Sequence, residues 1–295
     1  MNSKPKTDND TTGRELRPGL YLVATPIGSA RDITLRALDV LSTADVIAAE
    51  DTRRARKLLD IHGISVRGRP ILPYHDHNGP QQRPRLLRYI EEGKSVACVS
   101  DAGTPLVADP GYRLAEEAIS RGLHVTSAPG PSALLAAISV SGLPSDRFLF
   151  AGFPPVKSRA RMKFLRDLAG IHATLVLFEA PRRLAATLSA MADALGAGRR
   201  VALCRELTKR FEEVRRGTLA GLAREVSGEA TAKGELVIVI GPPEAGEPQA
   251  EDIDAALRDA LRTLSVKDSA TAVAETFGVP RKEAYRRALE IEEGK

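Results

Sequence analysis

Three short loops hold the residues best suited to grip a small ligand. They are Ala24-Thr25-Pro26-Ile27-Gly28-Ser29, Ser100-Asp101-Ala102-Gly103-Thr104-Pro105 with Asp109-Pro110-Gly111 beyond it, and Ala128-Pro129-Gly130-Pro131-Ser132-Ala133. Glycine and other small residues let a backbone come close to a ligand, and the Asp101 carboxylate can accept hydrogen bonds from a ribose or an amino group. Pro131 suits the first position of a helix, which would leave Ser132 and Ala133 presenting backbone N–H groups at the positive helix end. Taken singly, each loop is also explained as a plain turn, with Asp109 capping the helix after it. Other chemistries lack their residues. There is no GxxxxGK[ST] phosphate loop, no GxGxxG after a strand and no GxSxG nucleophile elbow. With five histidines in all, and His75 and His77 remote from other ligand types, no metal centre is expected.

Loops of this kind need strands to hold them. Apolar runs at Leu20–Ala24, Val46–Ala49, Ser95–Val99 and His124–Ser127 read as strands, alternating with helical patterns at Leu35–Ser42, Arg53–His62, Gln82–Glu92 and Tyr112–Arg121. That alternation predicts an α/β unit with a largely parallel sheet, and all three loops would then lie at the ligand-binding edge. After Ser141-Gly142-Leu143-Pro144, strands are expected at Phe148–Gly152, Thr174–Phe178, Val201–Glu206, Glu213–Thr218 and Leu236–Ile240, with helices at Arg159–Ala169, Pro181–Leu195 and Leu219–Val226. Two of these strands follow each other with no helix between, so this half predicts a mixed sheet. The expected division is a disordered tail at 1–17, a first α/β domain at 18–142, a second at 143–243, a linker at 244–250 and a helical module at 251–295.

Within that module, residues 268–289 resemble a helix-turn-helix. Ala270, Val273 and Ala274 face a core, Gly278 makes the turn, and Arg281, Lys282, Arg286 and Arg287 lie on the second helix. Nucleic-acid contact and plain helical packing both fit it. Charge is uneven: residues 53–94 carry a net +6 and 157–216 a net +8, whereas 244–295 carry −4. Basic charge confined to the body suggests an anionic partner, with nucleic acid the leading candidate beside a merely solvated surface. No tryptophan and 4% aromatic residues argue against extensive base stacking. Cys98 and Cys204 each sit in an apolar run and read as buried thiols. With no run of about 18 apolar residues, no membrane association is expected, and the chain reads as cytoplasmic.

Five segments occur in the order found in the tetrapyrrole methylase superfamily, which the chain resembles over about residues 18–243. They are Leu22-Val-Ala-Thr-Pro-Ile-Gly-Ser29, Ala49-Glu-Asp-Thr-Arg53, Ser100–Pro105 with Asp109-Pro-Gly111, Pro129-Gly-Pro-Ser-Ala133 and Leu177-Phe-Glu-Ala-Pro-Arg-Arg-Leu184. Ser29 stands where that family usually has Asn; the turn carries over, a side-chain contact there does not. The combination is most similar to the branch that methylates a cytidine ribose 2′-hydroxyl in small-subunit (16S) ribosomal RNA. The resemblance implies a two-domain α/β fold, with a parallel-sheet first domain and a mixed-sheet second domain, and a small helical C-terminal module. It also implies S-adenosylmethionine (S-adenosyl-L-methionine) in the cleft between the domains, a homodimer, and ribosomal RNA or the 30S particle as partner.

By family position Pro26, Asp101, Gly103, Thr104, Ser132 and Ala133 contact the cofactor, and Phe178, with the strand ends near Arg205 and Glu235, closes over it. Glu50, Asp51, Arg53, His77, Glu179, Arg182 and Arg183 lie in motifs that cofactor binding does not explain. Asp51 and Glu179 are the candidate proton acceptors; Arg53, His77, Arg182 and Arg183 are the candidate RNA contacts. Each is equally explained as a helix-start charge or a salt bridge. Two alternatives stand beside RNA methylation: C-methylation of a tetrapyrrole or other small substrate, and a non-catalytic RNA-binding assembly protein.

Overall fold

Strand β4 (Ser95–Val99) is buried at every position and lies at the centre of a parallel sheet. The computed structural model describes residues 16–66, 68–75, 77–107, 111–228, 234–243 and 250–293. Most of the expected tail, the 244–249 part of the expected linker, and Asp109 lie outside the described residues. The chain divides into two compact units, Met1–Pro242 and Pro243–Lys295.

In the first unit β1 (Gly19–Val23), α1 (Leu35–Thr43), β2 (Val46–Ala49), α2 (Thr52–Ile61), β3 (Ile71–Pro73), α3 (Gly79–Glu91), β4, α4 (Tyr112–Ser120), β5 (Val125–Ala128) and α5 (Ala133–Ser141) follow in order. The sheet runs β3-β2-β4-β1-β5, with every pairing parallel. Alternate residues face opposite ways. Tyr21, Val23, Ile47, Ala49, Ala97 and Val99 pack under α1 and α2, while Leu20, Val46, Ala48, Val96 and Cys98 pack under α3 and α4. Strand β3 was not expected: three residues show no alternation, and Pro73 marks the edge position where a missing N–H is tolerated. Helix α3 begins three residues before the expected Gln82, with Pro80 in its first turn, where proline is compatible with a helix.

The second sheet runs β6-β7-β10-β8-β9, built from β6 (Phe148–Gly152), β7 (Thr174–Glu179), β8 (Arg200–Arg205), β9 (Glu213–Thr218) and β10 (Leu236–Ile240). β6 pairs with β7 in parallel; the other pairings are antiparallel, so the sheet is mixed. Helices α6 (Ser158–Ala169), α7 (Leu184–Leu195, after a 3-10 turn at Pro181–Arg183) and α8 (Leu219–Ser227) cover one face, where Leu175, Leu177, Leu203 and Ile238 meet Leu165, Leu188 and Met191. Each such leucine contributes about 1.5–3 kcal/mol through burial. The opposite face packs Val176, Cys204, Val237 and Val239 against Ala137 and Ile138 of α5. Helix α5 is apolar on nearly all sides and follows β5 of the first sheet to pack on the second.

Both cysteines are buried. Desolvation pushes the Cys98 thiol up to about 12 and the Cys204 thiol up to about 11. At pH 8 a thiol reagent therefore leaves both unmodified in the folded protein and labels both on unfolding, since the thiolate is the reactive form. Labelling of either in the native state would contradict their burial.

The second unit consists of α9 (Ala250–Ala260), α10 (Val266–Phe277) and α11 (Arg281–Glu293). Ile253, Leu257, Ala270, Val273, Ala274, Ala284 and Ala288 form its core. Ser265 caps α10 and Gly278 ends it at φ 66°, as the helix-turn-helix pattern requires. Arg281, Lys282 and Arg286 are exposed. Arg287 instead turns inward to Asp254 at 3.0 Å and Glu283 at 3.7 Å, so three of the four expected cations face solvent.

Candidate active site

Strands β1 and β4 are neighbours, yet β1 leads through α1 towards β2 on one side, and β4 leads through α4 towards β5 on the other. These connections pass each other's strand on opposite faces of the sheet, α1 on one and α4 on the other, which leaves a crevice at the strand ends where α/β sheets place ligands. The loops after these strands are laced across it. Thr25 and Gly103 exchange backbone hydrogen bonds of 2.8 and 2.9 Å, and Thr25 Oγ1 donates to Ser100 O at 3.2 Å. Thr104 Oγ1 donates to Pro131 O at 3.0 Å, which ties in the loop after β5. Gly103 holds φ at +82°, a conformation that glycine adopts at no steric cost.

Along this edge lies a cavity of about 390 Å³. Gly103, Thr104, Ser132, Ala133 and Phe178 line it, as does Glu235. Helix α5 does not start at Pro131. Ser132 is its N-cap with φ −147°, and no side chain caps it. The extended Ser132 backbone delays the first turn, so the free N–H groups of that turn begin at Ala133, beside the cavity. On the far wall the Phe178 ring packs edge-on against Phe150 and Phe153, with centroids 4.9 and 5.5 Å away. Phe153, Leu236 and Val237 also line the cavity and were not foreseen. The β10–β7 register sets Val237 opposite Phe178, but nothing in an isolated apolar strand reveals that pairing.

Pro26 and Asp101 line a neighbouring cavity of about 330 Å³, together with Arg54, Lys57 and Lys209. Asp101 is already engaged: its Oδ1 accepts from the Asp51 amide at 3.0 Å and its Oδ2 pairs with Arg54 at 3.3 Å. In return the Asp101 amide donates to Glu50 Oε2 at 3.1 Å. Asp101 and Glu50 thus brace the ends of β2 and β4 against each other. The Asp101 carboxylate braces the strand ends while lining the second cavity.

Both candidate proton acceptors have close partners within the fold. Asp51 is the N-cap of α2, accepts from the Arg53 amide at 2.8 Å, and takes the Arg53 guanidinium in two bonds of 3.1 and 2.7 Å. Those bonds hold its carboxyl well below the usual carboxylate range. Glu179 borders the first cavity but its side chain is fully buried. It accepts from the Ala180 amide at 2.7 Å and from Thr187 Oγ1 at 2.6 Å, and pairs with Arg183 at 3.2 Å. Its lone pairs are spent on structure.

Arg183 is engaged in the same way, because its guanidinium also donates to the carbonyls of Pro154 and Pro155. Arg205 pairs with Glu213 at 3.0 Å across β8 and β9. Arg53, His77 and Arg182 are exposed. Among the described residues Arg182 has no partner, and His77 has only an edge contact with His75 at 6.0 Å.

Comparison with known proteins adds to this geometry. A family model described as tetrapyrrole (corrin/porphyrin) methylases matches residues 19–223, and one described as the RsmI C-terminal HTH domain matches residues 247–292. A protein of Mesorhizobium japonicum named ribosomal RNA small subunit methyltransferase I is 51% identical over 280 residues, covering 95% of this chain and 94% of that protein. The protein of that name from Escherichia coli O157:H7 is 42% identical, covering 92% and 94%. Among solved structures, uroporphyrin-III-C-methyltransferase from Thermus thermophilus superposes with a TM-score of 0.54 at 23% identity, over 76% of this chain and 94% of that one. Cobalt precorrin-4 methyltransferase superposes with a TM-score of 0.56 at 21% identity, covering 75% and 94%. These two likenesses concern the fold.

Proposed function

The chain belongs to the tetrapyrrole (corrin/porphyrin) methylase family, and we propose that it transfers a methyl group from S-adenosylmethionine to a cytidine ribose 2′-hydroxyl in small-subunit ribosomal RNA. One observation carries the choice of acceptor: the 51% identity to a ribosomal RNA small subunit methyltransferase I runs through nearly the whole of both chains, the helical unit included. Identity of that extent favours RNA over a tetrapyrrole. On the same reading the protein works in the cytoplasm as a homodimer, on the RNA or on the 30S particle.

The residues present fit the cofactor. The first cavity offers the uncapped N–H groups of α5 for a carboxylate, close backbone approach at Gly103, and an apolar wall of Phe178, Phe153 and Leu236 for a flat heterocycle. When bound, S-adenosylmethionine supplies a methyl group already activated on a sulfonium. The protein's part is then to align the nucleophile and exclude water. Gly103, Thr104, Ser132 and Ala133 would hold the polar side, and Phe178 and Phe153 would close the apolar side. Pro26 lines the second cavity. Arg53 and Arg182, exposed beside them, would meet RNA phosphates, and His77 extends that surface.

The test is incubation of purified protein with labelled S-adenosylmethionine and undermodified small ribosomal subunits. Label is expected on a cytidine 2′-oxygen; label in a precursor tetrapyrrole instead would overturn the reading. Arg182→Ala is expected to weaken RNA binding equally across sequences and to lower the salt slope by about one. Calorimetry should show the affinity for S-adenosylmethionine unchanged. Equal loss of both affinities would place Arg182 in the cofactor site.

A further inference from the structure

The two cavities share Ile27, Ala102 and Glu235 in their linings. Glu235 is the one ionisable side chain among these three. Of the carboxylates bordering the first cavity, Glu179 is closed off by Thr187, Arg183 and the Ala180 amide, which leaves Glu235 with its side chain 67% exposed. Its backbone is fixed from both sides: the Glu235 amide donates to Glu206 Oε1 at 2.9 Å, and the Glu206 amide donates to Glu235 O at 3.0 Å. Its carboxylate meets Lys209 Nζ at 3.0 Å, and the same ammonium meets Glu206 at 2.9 Å.

The turn that delivers Lys209 is strained. Glu206 and Thr208 hold φ at +50° and +62°, a conformation costly for residues with a Cβ and kept where surroundings enforce it. Here the enforcement is visible. The Ser29 amide donates to Thr208 Oγ1 at 3.1 Å, and the Thr208 amide donates to Glu212 at 2.6 Å. A Cβ at Gly28 would lie 2.6 Å from both Lys209 Cγ and Thr208 Oγ1. The loop after β1 thus grips the turn after β8, and the product of that grip is an ammonium and a carboxylate at the junction of the cavities.

We propose that Glu235 is the proton acceptor for the attacking hydroxyl, with Lys209 as the charge that steadies the developing alkoxide. This rests on the methyltransferase reading. A nucleophile would enter from the second cavity, whose rim carries Arg54 and Lys57, and would meet the Glu235 carboxylate at the shared wall. The oxygen–carbon bond forms as the sulfur–carbon bond breaks; the sulfur leaves as a neutral thioether, and the hydroxyl proton passes to Glu235 and then to water. Lys209 is held in its ammonium form: desolvation opposes this, but the hydrogen bonds to Glu206 and Glu235 outweigh it and raise its pKa.

The experiment measures single-turnover methylation of undermodified small subunits against pH for the wild type, E235Q, E235D and E206Q, with calorimetry of S-adenosylmethionine and a melt for each. E235Q is expected to lose 10²- to 10⁴-fold in rate, a typical contribution from a positioned base. It should also lose the acid limb of the pH profile, while cofactor affinity stays within about twofold. E235D should recover part of the rate with the limb present. E206Q, which cuts the same ion-pair cluster but keeps the Glu235 carboxylate, should lose less than about fivefold and retain the limb.

A rate for E235Q within about threefold of wild type, or a loss explained by cofactor affinity, overturns the assignment. So does an equal loss in E206Q. Should E235Q not fold, an E235D profile identical to wild type overturns it equally. Wild-type protein that binds S-adenosylmethionine but leaves RNA unlabelled refutes the RNA reading itself, and the assignment falls with it.

Discussion

Gly103→Val lowers the affinity for S-adenosylmethionine at least tenfold while the protein still folds. At φ +82° a β-branched residue is a genuine outlier, and holding any Cβ in the left-handed region costs roughly 1–2 kcal/mol. The loop cannot escape by rotating, because Gly103 is bonded to Thr25 through both its N–H and its carbonyl. Space is not the first obstacle: a Cβ there would lie 3.5 Å from Ile27 Cγ2 and 3.8 Å from Pro131 O, ordinary contact distances. The backbone must therefore strain or shift, and a shift takes Thr104 and the Pro131 carbonyl with it. A tenfold loss corresponds to about 1.4 kcal/mol, within that range. Calorimetry gives the affinity and a melt gives the fold; an unchanged dissociation constant in Gly103→Val would show that this loop does not hold the cofactor.

Glu179→Ala is expected to destabilise the first unit by about 3 kcal/mol, the lower end of the cost of breaking a buried ion pair. The carboxylate serves the Ala180 amide, Thr187 Oγ1 and Arg183 together, and its removal strands a buried hydroxyl and a largely buried guanidinium. Arg183 retains some solvent exposure, 18% of its side chain, which tempers the loss. Glu179→Gln can keep the Thr187 bond and loses only the charge, so its cost is smaller. Urea denaturation reads both variants. Methylation per folded molecule in Glu179→Gln is expected to stay within tenfold of wild type. A loss beyond 100-fold at unchanged stability would return Glu179 to the role of proton acceptor.

The contrast between Glu179 and Glu235 shows where reading residues in order fails. Glu179 attracted attention because it sits in a motif beside Phe178, Arg182 and Arg183. Its partners are local: Ala180 is adjacent and Thr187 follows eight residues on. Yet no pattern of types says that these groups saturate the carboxylate. Asp51 is similar. Its position before a helix made capping sufficient from the outset, and the structure adds the Arg53 clamp. Glu235 lies just before an apolar strand; the family resemblance points to that strand end, but its nearness to Lys209 and its place in both cavity linings come from the fold.

By itself the sequence determined every described strand but β3, because runs such as Ser95–Val99 carry an apolar signal of their own and strand formation in a buried sheet follows it. It also determined the backbone-rich loops at 24–29, 100–105 and 128–133, since small residues after a strand leave the main chain as the available binding group. The tertiary structure decided what those loops face. Thr104 finds Pro131 across 27 residues, and Ser29 finds Thr208 across 179. Pairings at such separations depend on how distant loops meet in the folded chain, which local periodicity does not encode. The loops proposed to hold the cofactor were therefore visible in composition and spacing, whereas the pairing of the Glu235 carboxylate with the Lys209 ammonium became visible only once the chain had folded back on itself.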